Sequence, residues 1–487
     1  MKICISVAPE SRTLAKVDLL NAARQCDVVE FCLDHLIKEP NVAEMIEGIQ
    51  KPILISCRTP EQGGKWQGTE EERLLLLRQA IVAQPDFVEL DVDIAAKIPR
   101  FGKTKRVVSF TSLADPVNNV DEIVNRAVQA KADIVKVTWP TPTLDAAWPM
   151  LAAVSQKRDV PVVAVGLGRG GITFSLLGCK YGAPWIYAAL EKGMETYAEQ
   201  PTVSELEETY FWRGINPQTR FVGVAGMSAL QQTTIKVFNT GFEKLALNMR
   251  CLPIATGRFD RLGKMLDVLK INGIVTGPES GEEVFPLAEQ PEDAAKEAGY
   301  ADLLLKQPDG WHAYNTMWRG VLKSLEERLG KEKDEDRPLD RRNVLIIGHG
   351  SATRSIIYGL LRRKALLSIT STSDKASLKL AQHFNIRHVQ FANLYDTLAD
   401  VVIFSDTELQ LGHRKEHFNA GYLRPHMTIL DVSHMPEETP VLSEARGRRC
   451  RIVECSEVFA DQLATQFKSI TGQSLPSSAL REALSVE

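Results

Sequence analysis

Short apolar runs recur through the first 210 residues, each closed off by polar positions. They are Ile3–Val7, Val28–Leu33, Pro52–Cys57, Phe87–Val92, Arg106–Phe110, Ile134–Thr138, Val160–Val165 and Trp185–Ala188. Brief runs rich in valine and isoleucine between polar boundaries read as buried strands. Between them, stretches such as Glu71–Ala83 and Val120–Ala130 carry apolar residues at i, i+3 and i+4 with charges on the other face, the pattern of an amphipathic helix. Strands alternating with helices imply a parallel sheet. Eight of them, with no glycine-rich dinucleotide loop among them, predict closure into a (β/α)8 TIM barrel.

The sixth run, Ala132-Asp-Ile-Val-Lys-Val137, holds a lysine in an apolar setting. Burying an ammonium is costly unless it loses its proton or finds a partner. An uncharged lysine is a nucleophile that forms an imine with a ketone. The competing reading has Lys136 at the strand end, extending its amine to water. Barrel chemistry sits at the C-terminal ends of strands. Those ends supply Glu30, Asp34 and His35, then Arg58, Glu89 and Asp91, Thr111, Lys136 and, after the eighth run, Gln200. Acids, an arginine and a lysine meeting at one mouth favour a functional Lys136. His35 is the only histidine in the first 311 residues, so it is the one local imidazole candidate for acid–base work, set against a plain rim residue.

The later chain changes character. Arg213–Thr219 reads as a linker, with Gly214 and Asn216-Pro217 as breakers. Arg220–Gly226 and Ile271–Thr276 read as strands, Gln231–Leu247 as a helix, and His312–Gly320 as the opening of a helix that runs to about Leu329. Lys331–Arg342 alternates in charge around Pro338 and reads as a solvated linker. Asn343–Thr353 is a strand entering a glycine turn, followed by a helix, Arg354–Arg362. Gly348 and Gly350, with Ser351 and Ala352 behind them, would let backbone N–H groups approach a pyrophosphate at a helix N-terminus. A second strand at Leu367–Thr370 supports a nucleotide-binding reading. Thr372 lies in the loop after it, and Asp374 suits either a ribose hydroxyl or a helix cap. Ala399–Phe404 and Thr428–Val432 continue the open sheet.

Composition narrows the setting. The chain has 487 residues, 44% of them hydrophobic, and a formal net charge of -4. That length accommodates two to four domains. The charge gives no footprint for nucleic acid or an anionic membrane. Eight cysteines without a CxxC pair point to free thiols in a reducing compartment, with no metal site. No apolar run approaches the ~20 residues that span a bilayer, and Met1–Val7 runs directly into a strand, unlike a signal peptide. A soluble cytoplasmic protein acting on a small molecule is expected.

Particular motifs make the expectation specific. Asp27-Val-Val-Glu-Phe-Cys-Leu-Asp-His35, Lys51-Pro-Ile-Leu-Ile-Ser-Cys-Arg58, Gly63-Gly64 and Ala132-Asp-Ile-Val-Lys136 resemble type I 3-dehydroquinate dehydratase over roughly residues 1–210. The resemblance implies that Lys136 forms the imine, that Glu30 and Arg58 build the substrate pocket, and that Gln200 hydrogen-bonds the ligand. Where that family carries a catalytic histidine, this chain has Thr111. Cys32 and Phe174 stand where it carries arginines.

From residue 213 onward the chain resembles shikimate dehydrogenase. Thr276 and Pro278 match a Val-Thr-x-Pro-x-Lys motif with Ser280 in place of lysine, and Tyr314-Asn315-Thr316 match Tyr-Asn-Thr-Asp with Met317 in place of aspartate. Gln232 and Thr234 stand for paired serines, and Asp302 for an asparagine. Asp431–Pro436 with Thr439–Leu442, and Gln462, Phe467 and Gly472, match its later signatures. The resemblance implies substrate contacts from Thr276, Asn315 and Gln462 and binding of NADP or NAD. The loop Ser371-Thr372-Ser373 lacks the arginine that meets the 2′-phosphate of NADP. The implied architecture is a barrel over residues 1–212, a substrate-binding domain over 213–330 completed by a C-terminal helix at 456–487, and a Rossmann-type domain over 331–455. The implied function is a bifunctional shikimate-pathway enzyme, a lyase and oxidoreductase. It would dehydrate 3-dehydroquinate through Lys136 and reduce 3-dehydroshikimate with NAD(P)H. The alternative is a degenerate or repurposed homologue that binds a small polar ligand or regulates the pathway, because Thr111, Phe174, Ser280 and Met317 replace functional residues.

Overall fold

The computed structural model describes all residues except Met1, Glu39, Met227 and residues 334–336, 406–408, 413–416, 436–437 and 485–487. Part of the expected linker over 331–342, and Pro436 of the Asp431–Pro436 motif, lie outside the described residues. By their contacts the rest form two compact units, Met1–Met227 with Ile235–Ile271, and Ser228–Thr234 with Asn272–Glu487.

The first unit opens with eight parallel strands: β1 (Ile3–Val7), β2 (Val28–Cys32), β3 (Ile53–Ser56), β4 (Phe87–Asp91), β5 (Lys105–Thr111), β6 (Ile134–Pro140), β7 (Val162–Leu167) and β8 (Ile186–Ala188). Their order, β7-β6-β5-β4-β3-β2-β1-β8, is that of a near-closed barrel. Period-two alternation sorts each strand into inward and outward positions. Inward apolar side chains, among them Cys4, Val28, Leu54, Val107 and Ile134, join Trp185 and Tyr187 in one cluster, with Phe87 packed against it. Two residues further along β1 to β6 the inward positions are Ser6, Glu30, Ser56, Glu89, Ser109 and Lys136, all buried. The barrel therefore has an apolar floor and a polar layer above it, a direct consequence of the strand period.

The unit continues into β9 (Arg220–Ala225) and β10 (Met249–Ile254), a parallel pair. The stretch Arg213–Thr219, expected as a linker, is held down. Thr219 Oγ1 donates to Asn248 Oδ1 at 2.6 Å, and its carbonyl accepts from Lys180 Nζ of the barrel helix Gly171–Lys180 at 2.9 Å. Thr173 of the same helix donates its hydroxyl proton to the Pro253 carbonyl on β10.

In the second unit, β11 (Ile271–Thr276) runs antiparallel to β13 (Leu303–Gln307), which pairs antiparallel with β14 (Gly310–Tyr314); β12 (Gln290–Pro291) joins β14 in parallel. The expected helix start at His312 is corrected here: His312 lies on β14, and the helix runs Met317–Lys333. Pro308-Asp309-Gly310 supplies a tight turn, with Gly310 at positive φ. Trp311 and Ala313 alternate inward against half-buried His312 and Tyr314.

The remaining strands are β15 (Asn343–Ile347), β16 (Leu366–Thr370), β17 (Arg387–His388), β18 (Val401–Phe404), β19 (Thr428–Asp431) and β20 (Arg451–Val453). They form one parallel sheet in the order β17-β16-β15-β18-β19-β20, the doubly wound arrangement whose ligand crevice opens where the order reverses, beside β15. No helix among the described residues is long and apolar enough to cross a membrane.

Candidate functional site

Lys136 points into the barrel and is 5% exposed. Its amine does not reach water at the strand end. Nζ lies 3.0 Å from Glu89 Oε2 and 4.5 Å above the centre of the Tyr187 ring. Glu89 also accepts from Arg58, at 3.1 Å from Nε and 2.6 Å from the terminal nitrogen. Arg58 pairs in turn with Glu30. Glu30 accepts from Ser6 Oγ at 2.6 Å, Ser6 from Gln200 Nε2 at 3.3 Å, and Gln200 Oε1 from the Thr196 amide at 2.7 Å. One continuous chain of polar contacts thus links the mouth loop to the lysine.

Lys136, Glu30, Arg58 and Gln200, each expected from the sequence, are brought together by this chain. Two carboxylates and two cations balance inside the barrel, which is the condition under which buried charge is tolerated. Burial alone would raise the Glu89 pKa; the Arg58 and Lys136 charges outweigh it and hold the carboxyl well below the usual carboxylate range.

His35 lies apart from this chain of contacts. Its Nε2 is 3.6 Å from Asp34, and it lines a cleft of about 560 Å³ with Glu10, Lys38, Lys65 and Trp66. Burial lowers its pKa, partly offset by Asp34. Asp34 itself shapes the mouth by accepting from the amides of Arg58 at 3.1 Å and Lys65 at 2.9 Å. Thr111 closes β5, half-buried and in register with Thr138. Cys32 is a buried thiol whose pKa burial pushes well up, so it offers no cation. Phe174 is fully buried beside Thr173, whose hydroxyl is engaged with β10.

The residues that sequence reasoning left unassigned are Glu89, Ser6 and Tyr187. Alternation carried the signal for the first two: each sits two positions beyond an inward apolar residue.

In the second unit, Thr276 and Gln462 converge on Asp302, and Asn315 lies apart from it. The Thr276 amide donates to the Asp302 carbonyl at 3.0 Å, and its hydroxyl to the Ala301 carbonyl at 2.6 Å. The Asp302 carboxylate accepts from the amides of Thr316 and Met317 at 2.8 Å each, from Thr316 Oγ1 at 3.0 Å and from Gln462 Nε2 at 3.1 Å. Burial pushes its pKa up to about 6 against those hydrogen bonds. The side chain of Asn315 is spent on the Tyr300 carbonyl and Ser355 Oγ. Met317 packs in an apolar cluster.

The nucleotide-binding expectation falls at the end of β15. Gly348 has a positive φ, and its amide donates to the Thr370 carbonyl at 2.9 Å. A Cβ on Gly350 would project into open space in front of the helix Ser351–Arg362, where Ser351 and Ala352 begin the first turn. That cradle fits a pyrophosphate. Thr353 Oγ1, 2.7 Å from Ser405 Oγ, ties the helix to the end of β18. Thr372 is exposed after β16, Ser371 bonds back to Ser373, and the Asp374 carboxylate accepts from the Phe391 amide at 2.9 Å. Among the described residues no group of three or more His, Cys, Asp or Glu is placed to hold a metal ion.

Comparison with known proteins finds relatives for both parts of the chain. The type I 3-dehydroquinase family model matches residues 3–217. The chain is 24% identical over 475 residues to the chloroplastic bifunctional 3-dehydroquinate dehydratase/shikimate dehydrogenase of Arabidopsis thaliana, covering 92% of this chain and 78% of that protein. It is 26% identical over 276 residues to the shikimate dehydrogenase (NADP(+)) of Aquifex aeolicus, covering 55% of this chain and 98% of the relative. The 3-dehydroquinate dehydratase of Desulfotalea psychrophila is 26% identical over 216 residues, covering 42% of this chain and 95% of the relative. A solved shikimate dehydrogenase structure from Aquifex aeolicus superposes with a TM-score of 0.49 at 25% identity, covering 56% of this chain and all of that one. Residues 3–217 are thus similar to type I 3-dehydroquinases and the region after them to shikimate dehydrogenases.

Proposed function

We propose that this protein is a bifunctional shikimate-pathway enzyme. The barrel dehydrates 3-dehydroquinate, and the later region reduces the resulting 3-dehydroshikimate with a nicotinamide cofactor. The observation that carries the reading is the buried Lys136 amine, 3.0 Å from Glu89 and enclosed by the Arg58–Glu30 pair. Its nitrogen adds to the substrate ketone, and loss of water leaves an imine. Glu89 is the acceptor within reach of Nζ and holds the amine in place; its carboxyl is too acidic to keep the ammonium proton, which passes to water before attack. The imine acidifies the neighbouring C–H bond; with Thr111 in place of a histidine its proton passes to water, and the electron pair left behind expels the β-hydroxyl, which takes up a proton from water as it leaves. Hydrolysis then frees the enone and the lysine. Arg58 and Gln200 orient the substrate from the mouth side.

In the later region Thr276, Asn315, Asp302 and Gln462 frame the substrate site, and Gly348, Gly350, Ser351, Ala352 and Thr372 frame the nucleotide. The nicotinamide supplies the hydride when bound. With no cation in Ser371-Thr372-Ser373, NAD is accepted at least as well as NADP. The partition into a barrel at 1–212, a substrate-binding domain at 213–330 with 456–487, and a Rossmann-type domain at 331–455 belongs to this proposal. A second reading, ligand binding without turnover, applies to the later region alone. It is favoured by two observations: Met317 packs in the core, and Ser280 carries no titratable side chain. Removing a positioned acid–base group slows a step by ~10²–10⁴-fold; the barrel lacks one such group at Thr111, while the later region lacks both members of its pair at Ser280 and Met317, so reduction is the slower half-reaction.

Incubation with 3-dehydroquinate and borohydride, followed by peptide mass spectrometry, tests the barrel. An adduct on Lys136 is expected; none at millimolar substrate would sink the imine. Binding of NAD and NADP, measured apart from shikimate oxidation, tests the rest. Cofactor binding with slow oxidation is expected, and rapid oxidation would refute the rate assignment.

A further inference from the structure

Tyr187 has no place in the chemistry above, yet it forms one wall of the lysine chamber. It stands on β8 in register with Cys4 of β1 and is 4% exposed. Trp185 meets its ring edge-on at 6.2 Å, which fixes the ring on the apolar floor. The Lys136 nitrogen lies 4.5 Å from the ring centre on its face. The Tyr187 hydroxyl is buried and has no hydrogen-bond partner among the described residues.

These facts bear on one another. An aromatic face attracts a cation, more strongly when water is excluded. A protonated imine keeps its positive charge on the same nitrogen as the ammonium, so the ring serves the lysine before and after attack. The hydroxyl needs a separate explanation. A buried phenol oxygen without a partner is unfavourable, and phenylalanine would fill the same volume without that cost. Burial and the nearby Glu30, Cys4 and Glu89 push the phenol pKa well up, so the group stays protonated and acts as a donor. Other tyrosines, such as Tyr210 and Tyr300, also bury unpartnered hydroxyls; Tyr187 is set apart by the amine on its face and the carboxylates beside it.

We propose that Tyr187 is a positioning residue of the barrel site: its ring seats the Lys136 nitrogen, and its unpartnered hydroxyl is the hydrogen-bond donor for an oxygen of the bound hydroxy keto acid, next to the carbon that the lysine attacks. This rests on the imine reading, and the test separates the two.

The rate of borohydride trapping on Lys136 is measured against 3-dehydroquinate concentration for the unaltered protein, Tyr187→Phe and Tyr187→Leu. Tyr187→Phe keeps the ring and loses the donor. Its half-saturating concentration is expected to rise about 3- to 10-fold, the effect of one lost hydrogen bond, while its melting temperature stays level or rises. Tyr187→Leu loses the ring as well, and its limiting trapping rate falls too. An unchanged half-saturating concentration in Tyr187→Phe, or a lowered melting temperature, overturns the donor role and leaves the imine standing. No adduct in the unaltered protein overturns both.

Discussion

The barrel chamber and the polar cluster around Asp302 use similar residue types and differ in what those residues leave over. In the chamber, Lys136 has one polar partner among the described residues, Glu89, and an aromatic face. The charges are balanced, and the nitrogen is held by one carboxylate and one ring face. Around Asp302 the hydrogen-bonding capacity is turned inward: four donors converge on one carboxylate, two of them the first amides of the helix that begins at Met317. Asn315 is likewise committed to the backbone and to Ser355. The difference shows that a polar constellation becomes a reaction centre only where one member is held without being used up. A buried polar network satisfied by its own members specifies packing, whatever its ancestry.

The comparison breaks most sharply at Lys136. Lys136→Ala should abolish the borohydride adduct and reduce dehydration to background, while Glu89 keeps its Arg58 partner and the fold persists; mass spectrometry and circular dichroism together read this. An adduct surviving on another lysine would remove the chamber from the account. Arg58→Leu comes next. It leaves Glu30 without its cation and Glu89 with Lys136 alone, and breaking a buried pair this way costs about 3–5 kcal/mol, read as a lowered denaturant midpoint. A change within error would mean that the chamber is wetter than its burial indicates.

The third effect belongs to Asp302. Its folded pKa is pushed up to about 6 from an ordinary 3.8. Between those values the folded protein holds a proton that the unfolded chain has released. Stability should therefore decline as pH rises from about 4 to about 6 and level off above, by at most about 3 kcal/mol. Asp302→Asn should flatten that slope while still accepting the amides of Thr316 and Met317. A slope unchanged in the variant would assign it to another group.

Much of this was legible in the sequence, for physical reasons that differ along the chain. Strand period and length placed all eight barrel strands within a few residues, because burial on both faces leaves an unbroken apolar signal. Position at the strand ends singled out Glu30, Glu89 and Lys136. Alternation could have added Ser6 and given Glu89 a role, since both stand two positions past an inward apolar residue. Tyr187 could not be singled out, because an aromatic in a strand reads as core until the amine above it is seen. His35 drew notice as a lone imidazole, but sequence position does not reveal that its ring lies in the cleft with Asp34 and Lys65. The hairpin Leu303–Tyr314 was missed because His312-Ala-Tyr-Asn was read forward into the helix; the turn Pro308-Asp309-Gly310 was the stronger signal. Nor could the sequence show that Phe174 is fully buried on a helix tied to β10 by Thr173 and to Thr219 by Lys180.

The central claim is that the barrel is the competent centre and the later region the slow one. The most direct measurement supplies 3-dehydroquinate and a reduced nicotinamide together and follows both products in time. The account predicts that 3-dehydroshikimate appears first and accumulates, with shikimate trailing by about 100-fold or more in rate. Shikimate forming in step with substrate loss, or 3-dehydroquinate left unconsumed, would contradict it.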